Sequence, residues 1–266
     1  MIGVDFGASY TDVVLFKNSR LKTYTIPSDS FTFQRLETLL KKGHEVAFTG
    51  GIAVVEKKNE GIRQLERNMN VLRVPEIEAI GEGARYLTKM NRMLVVNIGT
   101  GTPLVLVEGK NVKHVVGTGI GGGTLAGLGK LLLDVPVEEI ERLASKGKPT
   151  LDLTVGEAAG GSVGIVPPDA TASNFAQATK TKRARKEDVA YSLLNLVSES
   201  VGTLAAIAAK KEHVNDIVFT GRVVARNKRV RERLQAVMEL FGGKMRVPIN
   251  AEHATAIGAL MIGRKA

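Results

Sequence analysis

The apolar positions at the start of the chain fall in short runs separated by turn residues. "MIGVDF", "VVLF" and "LKTYTI" predict strands over 1–6, 12–17 and 20–26. A helix is expected at about 31–42, a strand in "EVAFTG" (45–50) and a helix over 79–90. From residue 93 the same order returns, with strands near 93–98, 103–108 and 112–117 and helices from about 122 onward. Aligning Asp5 with Asn97, Gly7 with Gly99 and "VVLF" with "VLVE" keeps a constant offset of 92 residues across two strands and a turn, the mark of a duplicated unit. Further on come a long helix (187–211) with Val189, Leu193, Leu194, Leu196, Val197, Val201 and Leu204, the strand "DIVFTG" (216–221) and a basic helix (227–241). The strand "KMRVPI" and a last helix from Glu252 close the chain. The pattern predicts an α/β protein of two similar halves, 1–92 and 93–266, facing each other across a cleft.

Composition narrows the chemistry. At 266 residues and 44% hydrophobic content the chain can bury a sizeable core. "MIGVDF" already reads as a strand, and no run approaches the roughly 18 apolar residues of a membrane span, so a cytoplasmic protein without a membrane partner is expected. The absence of Cys removes disulfides, thiolate catalysis and Cys-based metal sites. The four His (44, 114, 213, 253) show no metal-ligand spacing. A net charge of +10 is mostly dispersed; only "KTKRARK" (180–186) is dense, either as a solvated loop or as an attractor of a polyanion such as a nucleotide. With 5% aromatics and no Trp, a nucleic-acid partner has little support.

The repeated hairpin carries the candidate chemistry. In "GVDFGASY" the turn Gly7, Ala8 and Ser9, and in "NIGTGTP" the turn with Gly99, Thr100 and Thr102, can aim backbone N–H groups at phosphate oxygens while small side chains allow close approach. Two such turns face to face would hold a polyphosphate from both sides. Asp5, at the first turn, suits Mg²⁺, which takes oxygen ligands. Alternatively, each Gly merely shapes a hairpin. "GTGIGGGTLAGLGKLL" (117–132) adds Gly121, Gly122 and Gly123 leading into a helix, where free amides at the helix start would favour phosphate. It lacks the GK[ST] ending of a P-loop and the spacing of a dinucleotide fingerprint.

Taken in order, "GVDFGAS", "AFTGG", "VPEIEA", "NIGTGTP", "GTGIGGGTLAGLGKLL", "PPDATASNFAQA", "DIVFTG" and "AIGAL" resemble the type II pantothenate kinases, along essentially the whole chain. These belong to the superfamily of acetate and sugar kinases, heat-shock ATPases and actin, so the resemblance implies a duplicated ribonuclease H-like (actin-like ATPase) fold. It further implies phosphoryl transfer from ATP, with Mg²⁺, to the terminal hydroxyl of pantothenate, giving 4'-phosphopantothenate on the way to coenzyme A. The family's general base falls on Glu76 in "PEIEA"; without the resemblance, Glu76 and Glu78 read as carboxylates favoured at a helix start. Thr100 and Thr102 match the second phosphate turn, Gly121–Gly123 the nucleotide loop and Gly221 the glycine near the adenosine. Related kinases are homodimers through the region of the long helix, with the segment containing Asn174 near the partner's site. Two positions depart from the pattern. His114 stands where the family usually has an Arg that contacts substrate or phosphate, with Lys113 expected on the opposite face; Asp12 stands where Lys or Arg is common. Lys17, Arg222 and the 180–186 run are the candidate replacements. A kinase for another small hydroxyl compound and a non-catalytic nucleotide binder remain alternatives. Dehydratase-activator ATPases of the superfamily bridge an iron–sulfur cluster through Cys, which this chain lacks.

Overall fold

Two five-stranded sheets of the same topology frame the computed structural model, which describes residues 1–18, 20–28, 45–50 and 70–266. The helix expected at 31–42 and Gly51 of "AFTGG" lie outside the described residues. In the first sheet, β1 (Ile2–Phe6), β2 (Tyr10–Lys17), β3 (Arg20–Pro27), β4 (Val46–Gly50) and β5 (Val71–Arg73) take the order β3-β2-β1-β4-β5. In the second, β6 (Arg92–Asn97), β7 (Thr102–Glu108), β8 (Asn111–Thr118), β11 (Asp216–Thr220) and β12 (Lys244–Arg246) take the order β8-β7-β6-β11-β12. Each sheet has an antiparallel meander of three strands continued by two parallel strands, so the offset of 92 seen in the sequence is a repeat of architecture. The short strands β9 (Leu153–Thr154) and β10 (Thr171–Ser173) pair apart from both sheets.

The helices are α1 (Glu76–Thr88), α2 (Gly122–Leu133), α3 (Val137–Ala144), α4 (Val155–Ala159), α5 (Lys186–Lys211), α6 (Arg222–Arg226), α7 (Lys228–Phe241) and α8 (Ala254–Gly263). α1 begins three residues before the expected start, with Glu76 and Glu78 in its first turn, where carboxylates complement the helix dipole. It ends at Thr88 because Lys89 turns left-handed (φ 60°) and donates its N–H to the Arg85 carbonyl, a terminating geometry that pattern alone does not show. β12 stops at Arg246, two residues before Pro248, which has no N–H to give a ladder. A 3-10 turn at Ala251–His253 precedes α8.

The larger core lies on one face of the second sheet. Leu94, Val96, Leu104 and Phe219 meet Leu125 of α2, Ile140 of α3, Leu193 and Val197 of α5 and Leu234 of α7. α5 is the one helix among the described residues long and apolar enough to cross a membrane, yet 67% of its apolar window is buried inside the chain.

The opposite face of that sheet is closed by a helix from the other half. Ile80 and Ala84 of α1 pack on Met93, Val95, Val105 and Val107. Reciprocally, Ile257, Leu260 and Met261 of α8 pack on Val14 of the first sheet. The second sheet begins at Arg92, the first residue of β6, and each sheet is covered by a helix that lies on the other side of that point in the sequence. α1 and α8 cross where Gly83 meets Ala254 and Gly258 meets Ala79, so closely that a Cβ at either glycine would lie 1.9 or 1.8 Å from a backbone oxygen. This glycine crossing sets how near the halves approach.

Candidate active site

Between the hairpins lies a cavity of about 490 Å³. Gly7, Ala8 and Ser9 line it from the first half; Gly99, Thr100, Gly122 and Gly221 line it from the second. The duplication recurs here in atomic detail. Gly50, the last residue of β4, has φ 119° and would place a Cβ 2.5 Å from the Phe6 oxygen; Gly221, just after β11, has φ 94° and would place one 2.4 Å from the Ile98 oxygen. Phe6 and Ile98 are the offset of 92 apart, so each hairpin is backed by a glycine that a side chain would push away. Ser28 ties the first turn through its carbonyls: its Oγ donates to Gly7 O at 2.8 Å and its N–H to Ser9 O at 2.9 Å.

Asp5 and Asn97, the duplicated positions, are treated differently. Asn97 Oδ1 accepts from the buried Thr220 hydroxyl at 3.1 Å. In the first half the hydroxyl of Thr49, the neighbour of Asp5 on β4, is buried with no hydrogen-bond partner. Burial, together with the nearby carboxylates of Asp12 and Glu76, pushes the Asp5 carboxyl up to about 8. Asp5 and Asp12 line the cavity. Glu76 is exposed at the start of α1, close enough to raise the Asp5 proton affinity although it does not line the cavity.

The glycine loop serves a different purpose from the one its sequence suggests. The Gly122 and Gly123 amides donate to Gly99 O at 2.7 Å and Thr100 O at 2.9 Å, and the Gly121 amide donates to Thr124 Oγ1 at 3.2 Å. All three amides, expected to be free for phosphate, are taken: two brace the second hairpin and the third is held by Thr124 of α2. Glycine is needed for contact: a Cβ at Gly121 would fall 2.8 Å from Thr100 O. Thr102 is buried and donates to Ile120 O at 2.7 Å, so it also binds the loop to the hairpin. Thr100 faces the cavity.

His114 and Asn174 lie away from the cavity lining. His114 pairs with Val105 on the edge strand β8, where a bulge follows; Lys113 pairs with Leu106 and so points to the other face. The Asn174 amide donates to Glu199 of α5 at 2.8 Å, and Thr171 donates to the same carboxylate at 2.7 Å. Glu199 is in turn 3.2 Å from Arg233, whose Nε donates to Asn195, and Asn195 donates to Asp152 at 2.9 Å. This network clamps the "DATASNFAQA" segment onto α5.

Arg222 is the site residue whose place the sequence does not reveal. It follows Gly221 in the second half but reaches the first hairpin, with Nη2 3.0 Å from Asp12 Oδ1 and 3.2 Å from Thr25 Oγ1. Its guanidinium stacks 4.2 Å from the centroid of Tyr10. The Tyr10 hydroxyl crosses the cavity to donate to Glu138 of α3; that bond holds the phenol above and the carboxyl below their ordinary ranges. Leu125, Ala126, Val137, Ile140 and Val223 give the second half's side of the cavity an apolar wall.

Comparison with known proteins decides the family. The Fumble family model matches residues 88–262. A type II pantothenate kinase of Oceanobacillus iheyensis is 32% identical over 274 residues, covering 98% of each chain. The chain belongs to the type II pantothenate kinase family. A type II pantothenate kinase of Bacillus cereus strain G9842 is 28% identical over 279 residues, 99% of this chain and 98% of the relative. Among solved structures, component A of the (R)-2-hydroxyglutaryl-CoA dehydratase of Acidaminococcus fermentans matches with a TM-score of 0.64 at 20% identity, covering 98% of this chain and 96% of that one. A ROK family glucokinase of Streptomyces griseus, in complex with glucose and AMPPNP, matches with a TM-score of 0.62 at 13% identity over 100% and 99% of the two chains. These two likenesses carry the fold alone, and it is the actin-like ATPase fold expected from the sequence. In this pantothenate kinase family member, Asp5 and both hairpin turns line one cavity.

Proposed function

We propose that this cavity binds ATP with Mg²⁺ and that Glu76 takes the proton from the terminal hydroxyl of pantothenate as the γ-phosphoryl group transfers. The protein is a phosphotransferase with an alcohol acceptor, a pantothenate kinase of coenzyme A biosynthesis. The observation that carries the site reading is the pair of hairpins facing one another across the cavity with the half-buried Asp5 carboxylate on its lining.

The residues fit Mg²⁺ in the way that ion is usually held. No cluster of three or more candidate ligands exists among the described residues. One or two carboxylates with substrate phosphates and water suffice for Mg²⁺, and Asp5 next to Asp12 offers that oxygen chemistry. Bound there, Mg²⁺ would neutralise phosphate charge and relieve the crowding that keeps Asp5 protonated. Gly7, Ala8 and Ser9 approach the phosphates from one side, Gly99 and Thr100 from the other, and the apolar wall takes the base. The acceptor O–H bond breaks toward Glu76, the new O–P bond forms, and the old P–O bond breaks to release ADP.

The test is Glu76→Gln, which keeps shape but loses basicity. Pantothenate-dependent ATP turnover should fall about 10²-fold or more with nucleotide affinity little changed. Wild-type turnover in the variant would defeat the general-base role.

A further inference from the structure

We propose that Arg222 is the cation that meets the terminal phosphate of the bound nucleotide, a charge carried across the cleft from the first hairpin to the second half. The inference rests on reading the cavity as a nucleotide site. Among the described residues that line the cavity, five are acidic (Asp5, Asp12, Glu138, Glu141 and Glu252) and two are cationic, Arg222 and Arg226. An acid-rich cavity repels a polyphosphate unless cations are placed within it. Arg226 is not placed to serve: its side chain is 61% exposed and bonded to Glu252 at 2.5 Å. Arg222 is 25% exposed.

Its location fixes which phosphate it can reach. Asp12 and Asp5 are directly opposed partners across β1 and β2, so their side chains share one face of the sheet. Arg222, bonded to Asp12, therefore stands next to the carboxylate suited to the metal, where metal-bound phosphates would lie. The Nη2 edge of the guanidinium is used by Asp12 and Thr25, while Nη1 lies 3.6 Å from Glu252, beyond hydrogen-bond length. A planar fork with five N–H groups, fixed along one edge and stacked on Tyr10, is held at its other edge only by that longer ion pair with Glu252, which a phosphate can replace. The other replacements suggested by the sequence do not reach the site: Lys17 lies at the exposed end of β2, and Lys186 of the basic run donates to Leu133 O. Asp12, in place of a cation, becomes the positioning residue for the cation facing it; His253 Nδ1 also lies 3.3 Å from that carboxylate.

The experiment is calorimetric titration of Mg²⁺–ADP and Mg²⁺–AMPPNP into wild type, Arg222→Ala, Arg222→Lys and the double variant Asp12→Arg/Arg222→Ala. Arg222→Ala should lose about tenfold or more in AMPPNP affinity while ADP affinity changes less than about twofold, and Arg222→Lys should fall between. The double variant, with the cation returned to the hairpin, should recover most of the AMPPNP affinity. Equal losses for both nucleotides, or no loss in either Arg222 variant, would overturn the proposal. Selective loss without recovery in the double variant would overturn the transfer of charge from hairpin to partner half. If wild type binds neither nucleotide, the nucleotide-site reading itself fails and takes this inference with it.

Discussion

Asp5, on the lining of the cavity, costs the fold stability when it ionises. In the folded chain Asp5 keeps its proton to about 8, against 3.8 ordinarily, because burial and the charges of Asp12 and Glu76 oppose ionisation. The folded state thus binds a proton that the unfolded chain releases, so the Asp5 contribution to stability is greatest below about pH 4 and declines as pH rises to about 8. Without ligand, Asp5→Asn should be more stable than wild type at pH 8, with the difference shrinking toward pH 5 in urea unfolding; a difference independent of pH would contradict the assignment. The same variant should lose the rise in melting temperature that Mg²⁺–ATP gives wild type, since only a ligand that binds the native state stabilises it. Asp5 and the hairpin glycines sit in a local pattern that the structure brings to one cavity, whereas Glu76 gains a role only from the family resemblance. Arg222 was legible only as one of several candidate replacement cations, since its contact is with a hairpin some 200 residues earlier in the chain.

At the scale of elements, the strand order and the duplication were legible because both depend on short-range alternation and on turns. The exchange of α1 and α8 between halves was not, since nothing in the local pattern of a helix says which sheet it covers. The glycine loop shows the same limit: its sequence states that backbone can approach closely, but Gly99, Thr100 and Thr124 decide that its amides are spent. Helix glycines separate the two cases. A Cβ at Gly258 would lie 1.8 Å from Ala79 O, so Gly258→Ala must push α8 off α1 and should cost about 3 kcal/mol in urea unfolding. Gly127, in α2, has nothing within 4 Å of its would-be Cβ, so Gly127→Ala should stabilise by about 0.5–1 kcal/mol. Equal effects at the two positions would show that the α1–α8 crossing is looser than described.

For the whole molecule, two sheets with exchanged closing helices frame a cleft that the Tyr10–Glu138 and Arg222–Asp12 contacts bridge. The apolar character of α5, which suggests a dimer from sequence, is largely satisfied within the chain: Val201, Ala205 and Ala206 are buried in its own core, and Gly202 meets Val237 of α7. Ile207, 57% exposed on the same helix, is what remains for a second copy. We propose that a homodimer forms there, with the α5-clamped Asn174 segment at its edge. Light scattering at micromolar concentration should give twice the chain mass and Ile207→Glu should give a monomer, whereas a monomeric wild type would remove the proposal. The departures at Asp12 and His114 bear on the acceptor. His114→Arg should keep or raise turnover of pantothenate, since Arg can bind an anionic oxygen pair with two parallel hydrogen bonds. The most direct test is mass-spectrometric identification of the product formed from ATP and Mg²⁺ with pantothenate, pantetheine, sugars and short polyols supplied in parallel. The account predicts 4'-phosphopantothenate as the main product, with ADP formed in equal amount; a phosphorylated sugar or polyol with no phosphopantothenate, or no ATP consumption with any acceptor, would contradict it.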